Sequence, residues 1–152
     1  MKFPENRMEL ETLPIDFFGF IFYPPSKRFA GDPETEVLHL LTNTEKNKVG
    51  VFVNETLEKI IRTGERTGLS HIQLHGEESP EFCRSIRESG FSIIKAFRVN
   101  DRFNFNETTA YRESADLFLF DTRAGLPGGT GEKYNWEILN KYQGKIPFFL
   151  SG

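Results

Sequence analysis

Short apolar runs recur along the chain and alternate with amphipathic segments, and this alternation restricts the possible folds more than any other feature. Most of the runs are continuously apolar, which is typical of strands buried on both faces of a parallel sheet. Their starts are roughly 22 to 30 residues apart, the length of a βα unit. The six runs are Phe18–Tyr23, Lys48–Val53, His71–His75, Ile93–Arg98, Asp116–Phe120 and Pro147–Leu150.

Helix-capping signals lie between the runs. Asp32-Pro33 and Ser79-Pro80 each combine an N-cap residue with proline at the first helical position. Asn54 is expected to cap the intervening helix, which Gly64 or Gly68 can end, and Gly90 is expected to end the helix that starts at Pro80. Weaker patterns predict further helices over Asn104–Ser114 and from Trp136 to Leu139.

Repeated βα units imply a parallel sheet with right-handed crossovers, which can stay open or close into a barrel. No G-x-G-x-x-G follows the first run, which weakens the open dinucleotide-binding form. An eight-stranded barrel usually needs about 200 residues or more, whereas this chain has 152. We therefore expect an α/β protein with a single domain over residues 1–152, an incomplete parallel (β/α)8 TIM barrel of about six βα units.

Composition excludes several classes of function. A net charge of -3 gives no reason to expect a nucleic-acid or membrane partner. No apolar run approaches the roughly 20 residues that cross a bilayer, and the N-terminus lacks the apolar stretch of a signal peptide. The single cysteine, Cys83, excludes an intrachain disulfide and a multi-cysteine zinc site, so a cytoplasmic location is expected. Its spacing from Phe82 and Ile86 predicts ordinary helix packing.

In barrels of this kind the catalytic residues lie where strands end and βα loops begin. Asp121 directly follows the apolar residues Leu117–Phe120 and should lie at the rim of the core. Partial desolvation there favours the protonated carboxyl, which makes Asp121 a candidate general acid. A helix N-cap or a surface salt bridge is the structural alternative.

Three other strand-end features are candidates for binding. The loop Gly128, Gly129, Thr130 and Gly131 offers backbone amides to a phosphate, although such loops also serve simply as turns. Arg28 can form a two-pronged contact with a carboxylate or phosphate, or remain a solvated charge. His75 can bind substrate or move protons, or can merely be hydrogen-bonded.

Taken together, these segments resemble the phosphoribosylanthranilate isomerases along nearly the whole chain. Each matching segment is short, but they occur in the family's order and spacing. The segments are Gly19–Pro24 with Ser26 and Arg28, Val49–Asn54, Gln73–Glu77, Ile94–Ala96, Phe120–Thr122 with Gly128–Gly131 and Trp136, and Phe149–Gly152.

The resemblance implies an Amadori rearrangement of N-(5-phosphoribosyl)anthranilate, a phosphorylated sugar–anthranilate substrate, in tryptophan biosynthesis. It casts Asp121 as the general acid that protonates the furanose oxygen and Arg28 as the partner of the anthranilate carboxylate. His75 would contact the substrate, and the Gly128–Gly131 loop with Ser151 and Gly152 would lie near its phosphate. No metal or organic cofactor is implied, because the substrate nitrogen is the electron sink.

The chain also departs from the family pattern. The family's general base is a cysteine in a Lys-x-Cys-Gly-type motif on its first strand, and neither that motif nor the second glycine of the Ser-Gly-Gly motif is present. Cys83 lies in a helix and cannot substitute. We therefore expect a chain truncated at both ends, lacking the first and last strands, inactive as it stands and prone to self-association through exposed barrel edges. The alternatives are a non-catalytic fragment or anion-binding remnant, or another phosphate-binding barrel enzyme such as an indole-glycerol-phosphate synthase relative.

Overall fold

A computed structural model describes residues 13–32, 46–121 and 136–151. Six strands and two α-helices account for most of the regular structure in these ranges, with two 3₁₀ helices beside them. The strands are β1 (Phe17–Ile21), β2 (Asn47–Phe52), β3 (His71–Leu74), β4 (Ser92–Arg98), β5 (Leu117–Asp121) and β6 (Phe148–Ser151). The helices are α1 (Leu57–Thr67) and α2 (Pro80–Glu88), and the 3₁₀ helices are η1 (Phe105–Tyr111) and η2 (Trp136–Lys141).

The six strands form one sheet in sequence order, and every pairing is parallel. A doubly wound sheet would reverse its strand order at a switch point, and none of the described strands does so. The sheet also curls, because Phe17 on β1 and Phe149 on β6 touch edge to face with ring centroids 5.4 Å apart. Two strands at opposite ends of the sheet order can meet only if the sheet bends round on itself. The predicted barrel architecture is therefore confirmed, with six strands in a curled half-barrel.

The main core lies outside this curl, between the sheet and its helices. Alternate strand residues point to opposite faces, and the outer-face phenylalanines of β1, β2 and β5 are almost completely buried. Phe97 on β4 packs edge to face against Phe118 of β5 at 5.2 Å and against Tyr111 of η1 at 5.3 Å. Edge-to-face pairs of this kind add to the free energy gained by burying apolar area.

The start of α1 corrects one prediction. Asn54 does not cap this helix, since Thr56 is the N-cap and its side chain accepts a hydrogen bond from the Lys59 N–H at 3.4 Å. Asn54 instead has a positive φ of 50° and accepts a hydrogen bond from the Glu77 N–H through its side-chain oxygen at 2.7 Å. The predicted stop at Gly68 is confirmed, because this residue adopts the left-handed conformation that glycine tolerates best.

The cap-plus-proline signal of α2 is confirmed. Ser79 accepts a hydrogen bond from the Phe82 N–H at 3.2 Å, and Pro80 occupies the first turn. Ser89 is the C-cap, and Gly90 follows it with a φ of 96°. The two weaker helix predictions correspond to the 3₁₀ helices η1 and η2 rather than to α-helices. The helix predicted after Asp32 lies outside the described residues.

The outer edge strand β6 has exposed apolar side chains. Phe148 and Leu150 are 37% and 48% exposed, and β6 pairs only with β5 among the described strands. The self-association expected from such edges stays a prediction, as does the single domain over residues 1–152. None of the helices in the described ranges has the length and apolar character that a membrane span requires.

Gly64 in α1 provides a test of core packing. A methyl group added here would lie 2.6 Å from Cε1 and Cζ of Phe91, a buried ring that has little room to move. Overpacking typically costs about 1–3 kcal/mol, which exceeds the gain of up to about 1 kcal/mol from replacing glycine by alanine within a helix. We expect Gly64→Ala to lower the free energy of unfolding, measured by urea denaturation.

Two variants make this test specific. Glu65→Ala, at an exposed position of the same helix, should change the free energy of unfolding little. In a Phe91→Leu background the Gly64→Ala penalty should shrink, because the clashing ring is gone. An equal penalty in both backgrounds would show that the ring contact is not its cause.

Candidate functional site

The carboxyl ends of the six parallel strands lie at one edge of the sheet, where the sequence predicts the site. Arg98 at the end of β4 is register partner to Asp121 on β5, and Asp121 is register partner to Ser151 on β6. His75 immediately follows β3. Three of the predicted site residues, His75, Asp121 and Ser151, therefore occupy the same edge of the sheet.

Asp121 and His75 are in direct contact. His75 Nε2 lies 3.2 Å from Asp121 Oδ2, and Asp121 is only 9% exposed. Strand β4 lies between β3 and β5 in the sheet, so the two side chains are not brought together by strand pairing. They meet across the carboxyl end of β4 because the sheet curls.

A second contact extends this pair. Gln73 Nε2 lies 3.0 Å from His75 Nδ1, on the ring nitrogen opposite the one that faces Asp121. The sequence assigns no role to Gln73, since a single glutamine in a strand has no distinctive pattern. Carboxamide, imidazole and carboxylate thus form a continuous chain at the carboxyl edge.

A buried ion pair lies beside this chain. Lys95 on β4 and Glu78 in the loop after β3 are 2% and 6% exposed, with Nζ and Oε2 2.9 Å apart. Lys95 Nζ also donates to the backbone oxygens of Leu74 at 3.3 Å and Gly76 at 2.7 Å. The Glu78 carboxylate accepts from the backbone N–H groups of Asn54 and Gly76, at 2.8 and 2.9 Å. The ammonium and the carboxylate therefore compensate each other, and each has further hydrogen-bond partners in the backbone, as buried charges require.

This network joins the carboxyl ends of β2 and β3 to the middle of β4. Tyr111 of η1 adds a further bond, donating its hydroxyl proton to the Glu78 backbone oxygen at 3.0 Å. Sequence analysis did not identify Glu78. A lysine inside the apolar run of β4 was the available signal, because lysine is almost never fully buried without a partner.

Burial and partners act in opposite directions on Glu78. Burial raises the pKa of its carboxyl, while the Lys95 charge and the hydrogen bond from the Asn54 N–H lower it. The lowering effects together are larger, so the pKa lies below its ordinary value. The carboxylate is therefore held in its charged form at neutral pH.

Cys83 is not part of the site. It lies in α2 with no exposed surface, and burial raises the pKa of its thiol to about 11. A thiol of this kind is almost entirely protonated at neutral pH, so it is neither a nucleophile nor a base. The prediction that Cys83 serves packing is confirmed.

The remaining predicted residues are placed as follows. Arg28 is exposed on the loop after β1, where its backbone N–H donates to Ser26 Oγ at 3.1 Å. Three strands separate β1 from β5, so strand pairing does not bring Arg28 to Asp121. The loop of Gly128, Gly129, Thr130 and Gly131 lies outside the described residues, as does Gly152. Within the described ranges, no group of three or more acidic, histidine or cysteine side chains could hold a metal ion.

The buried pair generates a prediction about stability and pH. Glu78→Gln leaves the Lys95 charge buried without its partner, and breaking a buried pair typically costs about 3–5 kcal/mol. Because the folded-state pKa of Glu78 is lowered, its contribution is present above the ordinary glutamate pKa of 4.5 and is lost as pH falls through the folded value. We expect the difference in unfolding free energy between wild type and Glu78→Gln to be constant near neutral pH and to shrink below about pH 4.5.

Glu88→Gln, at an exposed position in α2, is the matched control and should show neither effect. Denaturant unfolding at a series of pH values measures both quantities. A Glu78→Gln penalty that persists unchanged into acid would contradict the proposed role of the carboxylate charge.

Comparison with known proteins identifies the family. A family model described as N-(5'phosphoribosyl)anthranilate (PRA) isomerase matches residues 7–152. The N-(5'-phosphoribosyl)anthranilate isomerase of Parabacteroides distasonis is 43% identical, and the match covers 100% of this chain and 69% of that relative. The enzyme of the same name from Phocaeicola vulgatus is 40% identical, with coverages of 100% and 72%.

Solved structures agree with the sequence matches. The crystal structure of phosphoribosyl anthranilate isomerase from Thermotoga maritima is 34% identical and aligns with a TM-score of 0.87 over 100% of this chain and 73% of that one. A phosphoribosyl anthranilate isomerase in complex with reduced 1-(o-carboxyphenylamino)-1-deoxyribulose 5-phosphate aligns with a TM-score of 0.67 at 26% identity, over 100% and 82%. Because the family model spans almost the whole chain and the solved relatives share its curled parallel sheet, this chain belongs to the N-(5'-phosphoribosyl)anthranilate isomerase family of tryptophan biosynthesis.

Proposed function

We propose that this chain supplies the general acid and part of the substrate site for the isomerisation of N-(5-phosphoribosyl)anthranilate to 1-(2-carboxyphenylamino)-1-deoxyribulose 5-phosphate. The observation that carries the proposal is the position of Asp121, a nearly buried carboxyl at the carboxyl end of β5. Barrel enzymes place their reacting groups at this edge. Limited access to water favours the protonated form of a carboxyl, which is the form that a general acid needs.

In this reaction Asp121 donates its proton to the furanose ring oxygen. The bond between that oxygen and C1 then breaks, and the lone pair of the anthranilate nitrogen forms the C1–N double bond of a Schiff base. Removal of the proton from C2 leads to the enol, which becomes the ketone of the product. The substrate nitrogen accepts the electron pair, so the acid and a base are the proton-transfer groups that the protein must supply.

The binding roles follow the same edge of the sheet. Arg28, on the exposed loop after β1, has the planar guanidinium that matches the anthranilate carboxylate. Ser151, next to Asp121 on β6, would lie near the phosphate together with Gly128, Gly129, Thr130, Gly131 and Gly152. His75 would contact the substrate beside the acid. The contact between His75 and Asp121 supports a shared site for these two residues.

The general base is not supplied by a thiol of these 152 residues. The family's base is a cysteine on a strand, and the single cysteine here is Cys83, which is buried in α2 with a raised pKa. A general base typically contributes about 10²–10⁴-fold to a rate. We expect the 152-residue chain alone to show at least a hundredfold lower kcat than the Parabacteroides distasonis relative, measured by the change in anthranilate fluorescence. Turnover comparable to that of the relative would contradict this expectation.

The acid assignment can be tested in a chimera that joins this chain to the segments of the Parabacteroides distasonis relative that lie outside the match. If the chimera turns over substrate, Asp121→Asn should lower kcat by about 10²-fold or more and leave KM nearly unchanged, because the amide keeps the shape but cannot donate the proton. Asp101→Asn changes an exposed carboxyl in the turn after β4 and should leave kcat unaffected.

Arg28→Ala in the same chimera should mainly raise KM, since pairing with a carboxylate that does not react is retained throughout the reaction. Lys27→Ala removes the neighbouring exposed cation and is the matched control.

Retention of most of kcat by Asp121→Asn would overturn the acid assignment, provided that thermal melting shows both chimeras to be folded.

A further inference from the structure

The hydrogen-bonded series of Gln73, His75 and Asp121 also determines which ring nitrogen of His75 can carry a proton. Gln73 lies on the inner face of β3, where its register partners are Val51 on β2 and Ile94 on β4. Gln73 is half-buried beside these apolar neighbours, so a hydrogen bond to a neighbouring side chain offsets part of the cost of removing its carboxamide from water. Its nitrogen lies 3.0 Å from His75 Nδ1.

Donor and acceptor capacities then determine the state of the imidazole. In the orientation that the Gln73 side chain adopts, its carboxamide nitrogen faces His75 Nδ1 and can only donate, which assigns Nδ1 as the unprotonated, accepting nitrogen. A neutral imidazole carries one proton, which is then on Nε2. That nitrogen lies 3.2 Å from Asp121 Oδ2, and a carboxylate oxygen accepts. Protonation of Nδ1 would set two donors against each other across the contact with Gln73.

We infer that Gln73 is a positioning residue that holds His75 as its neutral Nε2–H tautomer, so that the ring donates a hydrogen bond to Asp121 Oδ2. This inference rests on the proposed function only in treating Asp121 as the acid. With Oδ2 occupied by the imidazole N–H, the proton of the carboxyl resides on Oδ1. In the acid step the Oδ1–H bond breaks, its electron pair stays on Oδ1, and the proton moves to the substrate oxygen.

The arrangement also stabilises the product of that step. When Asp121 has given up its proton, the carboxylate is still hydrogen-bonded at Oδ2, and no further movement of the ring is needed. If His75 were instead an imidazolium, the ion pair would keep Asp121 charged and unable to donate. A neutral histidine supports the carboxylate without this penalty.

Backbone hydrogen bonds at His75 and Gly76 fix the position of the imidazole. Gly76, directly after His75, is bonded through its N–H to Glu78 and through its carbonyl to Lys95. The backbone N–H of His75 donates to the Phe52 backbone oxygen at 2.9 Å. Among the described residues, other charged groups at this edge of the sheet are Arg98, the register partner of Asp121 on β4, and the Glu78–Lys95 pair, in which each charge compensates the other.

Histidine NMR of the whole 152-residue chain tests the inference without any requirement for turnover. The chain has three histidines, so long-range proton–nitrogen spectra can be assigned by single substitutions. We expect His75 at pH 7 to show a proton on Nε2 and none on Nδ1. Gln73→Met donates nothing to the ring and leaves Asp121 alone to select the tautomer, so it should raise the population of the Nδ1–H form above that of the wild type. Gln73→Glu places an acceptor opposite Nδ1 and should give a doubly protonated ring.

His71 on the same strand is the internal reference, and its signals should not change tautomer in either variant. A proton on Nδ1 in the wild type, or an unchanged His75 in both folded variants, would overturn the inference. These readouts do not depend on catalysis, so failure of Asp121→Asn to affect kcat would remove the proposed acid role and leave the tautomer assignment intact.

In an active chimera, Gln73→Glu should lower kcat at pH 7 by about tenfold or more, because an imidazolium beside Asp121 favours the carboxylate, which cannot donate a proton. The activity should recover at lower pH, with the pH–rate profile displaced by about one unit or more and KM little changed. Gln73→Met should show no such displacement. A purely structural role would lower activity in both variants without displacing the profile, and that result would overturn the inference.

Discussion

Lys95 places a positive charge in the apolar layer between the sheet and its helices, and much of the carboxyl edge is arranged to receive it. The ammonium group has Glu78 and two backbone carbonyls as partners, and the Glu78 carboxylate in turn accepts backbone N–H groups from the loops after β2 and β3. An isolated buried charge would cost several kcal/mol. The network removes that cost only while the ends of β2 and β3 keep their positions relative to the middle of β4, so it couples the geometry of these three strands.

The candidate site depends on this coupling. His75 is the residue before Gly76, whose N–H and carbonyl both belong to the network, so the backbone that places the imidazole is fixed by the ion pair. The imidazole then reaches across the end of β4 to Asp121. A site of this kind needs a rigid support, because a proton donor must be held close to its productive geometry. The buried ion pair, the loop after β3 and the His75–Asp121 contact are therefore linked by short, direct hydrogen bonds.

Asp121 and Cys83 are both buried, but their surroundings suit them to different roles. Asp121 is nearly buried but contacts His75 through one oxygen and lies at the carboxyl edge of the sheet, where the proposed reaction would bring the substrate to it. Cys83 is fully buried in α2, where desolvation raises the pKa of its thiol and no substrate can approach. In the proposed reaction Asp121 would therefore supply the acid, while no thiol of these 152 residues would supply the base.

The sequence alone was enough to predict the six strands, the cap of α2, the packing role of Cys83 and the location of Asp121 at the rim, because these depend on local patterns of apolar, capping and strand-end residues. It misassigned Asn54 as a cap, since Asn54 has a positive φ and its side-chain oxygen accepts from the Glu77 N–H in a later loop instead of capping α1. The pairing of Lys95 with Glu78, and the chain from Gln73 through His75 to Asp121, were decided only by the tertiary structure. Lys95 and Glu78 are 17 positions apart in the chain, and His75 and Asp121 are 46 positions apart. The Lys95–Glu78 pair forms because β3 and β4 are parallel neighbours, and the His75–Asp121 contact forms because the sheet curls across the end of β4. No local sequence pattern encodes either relation.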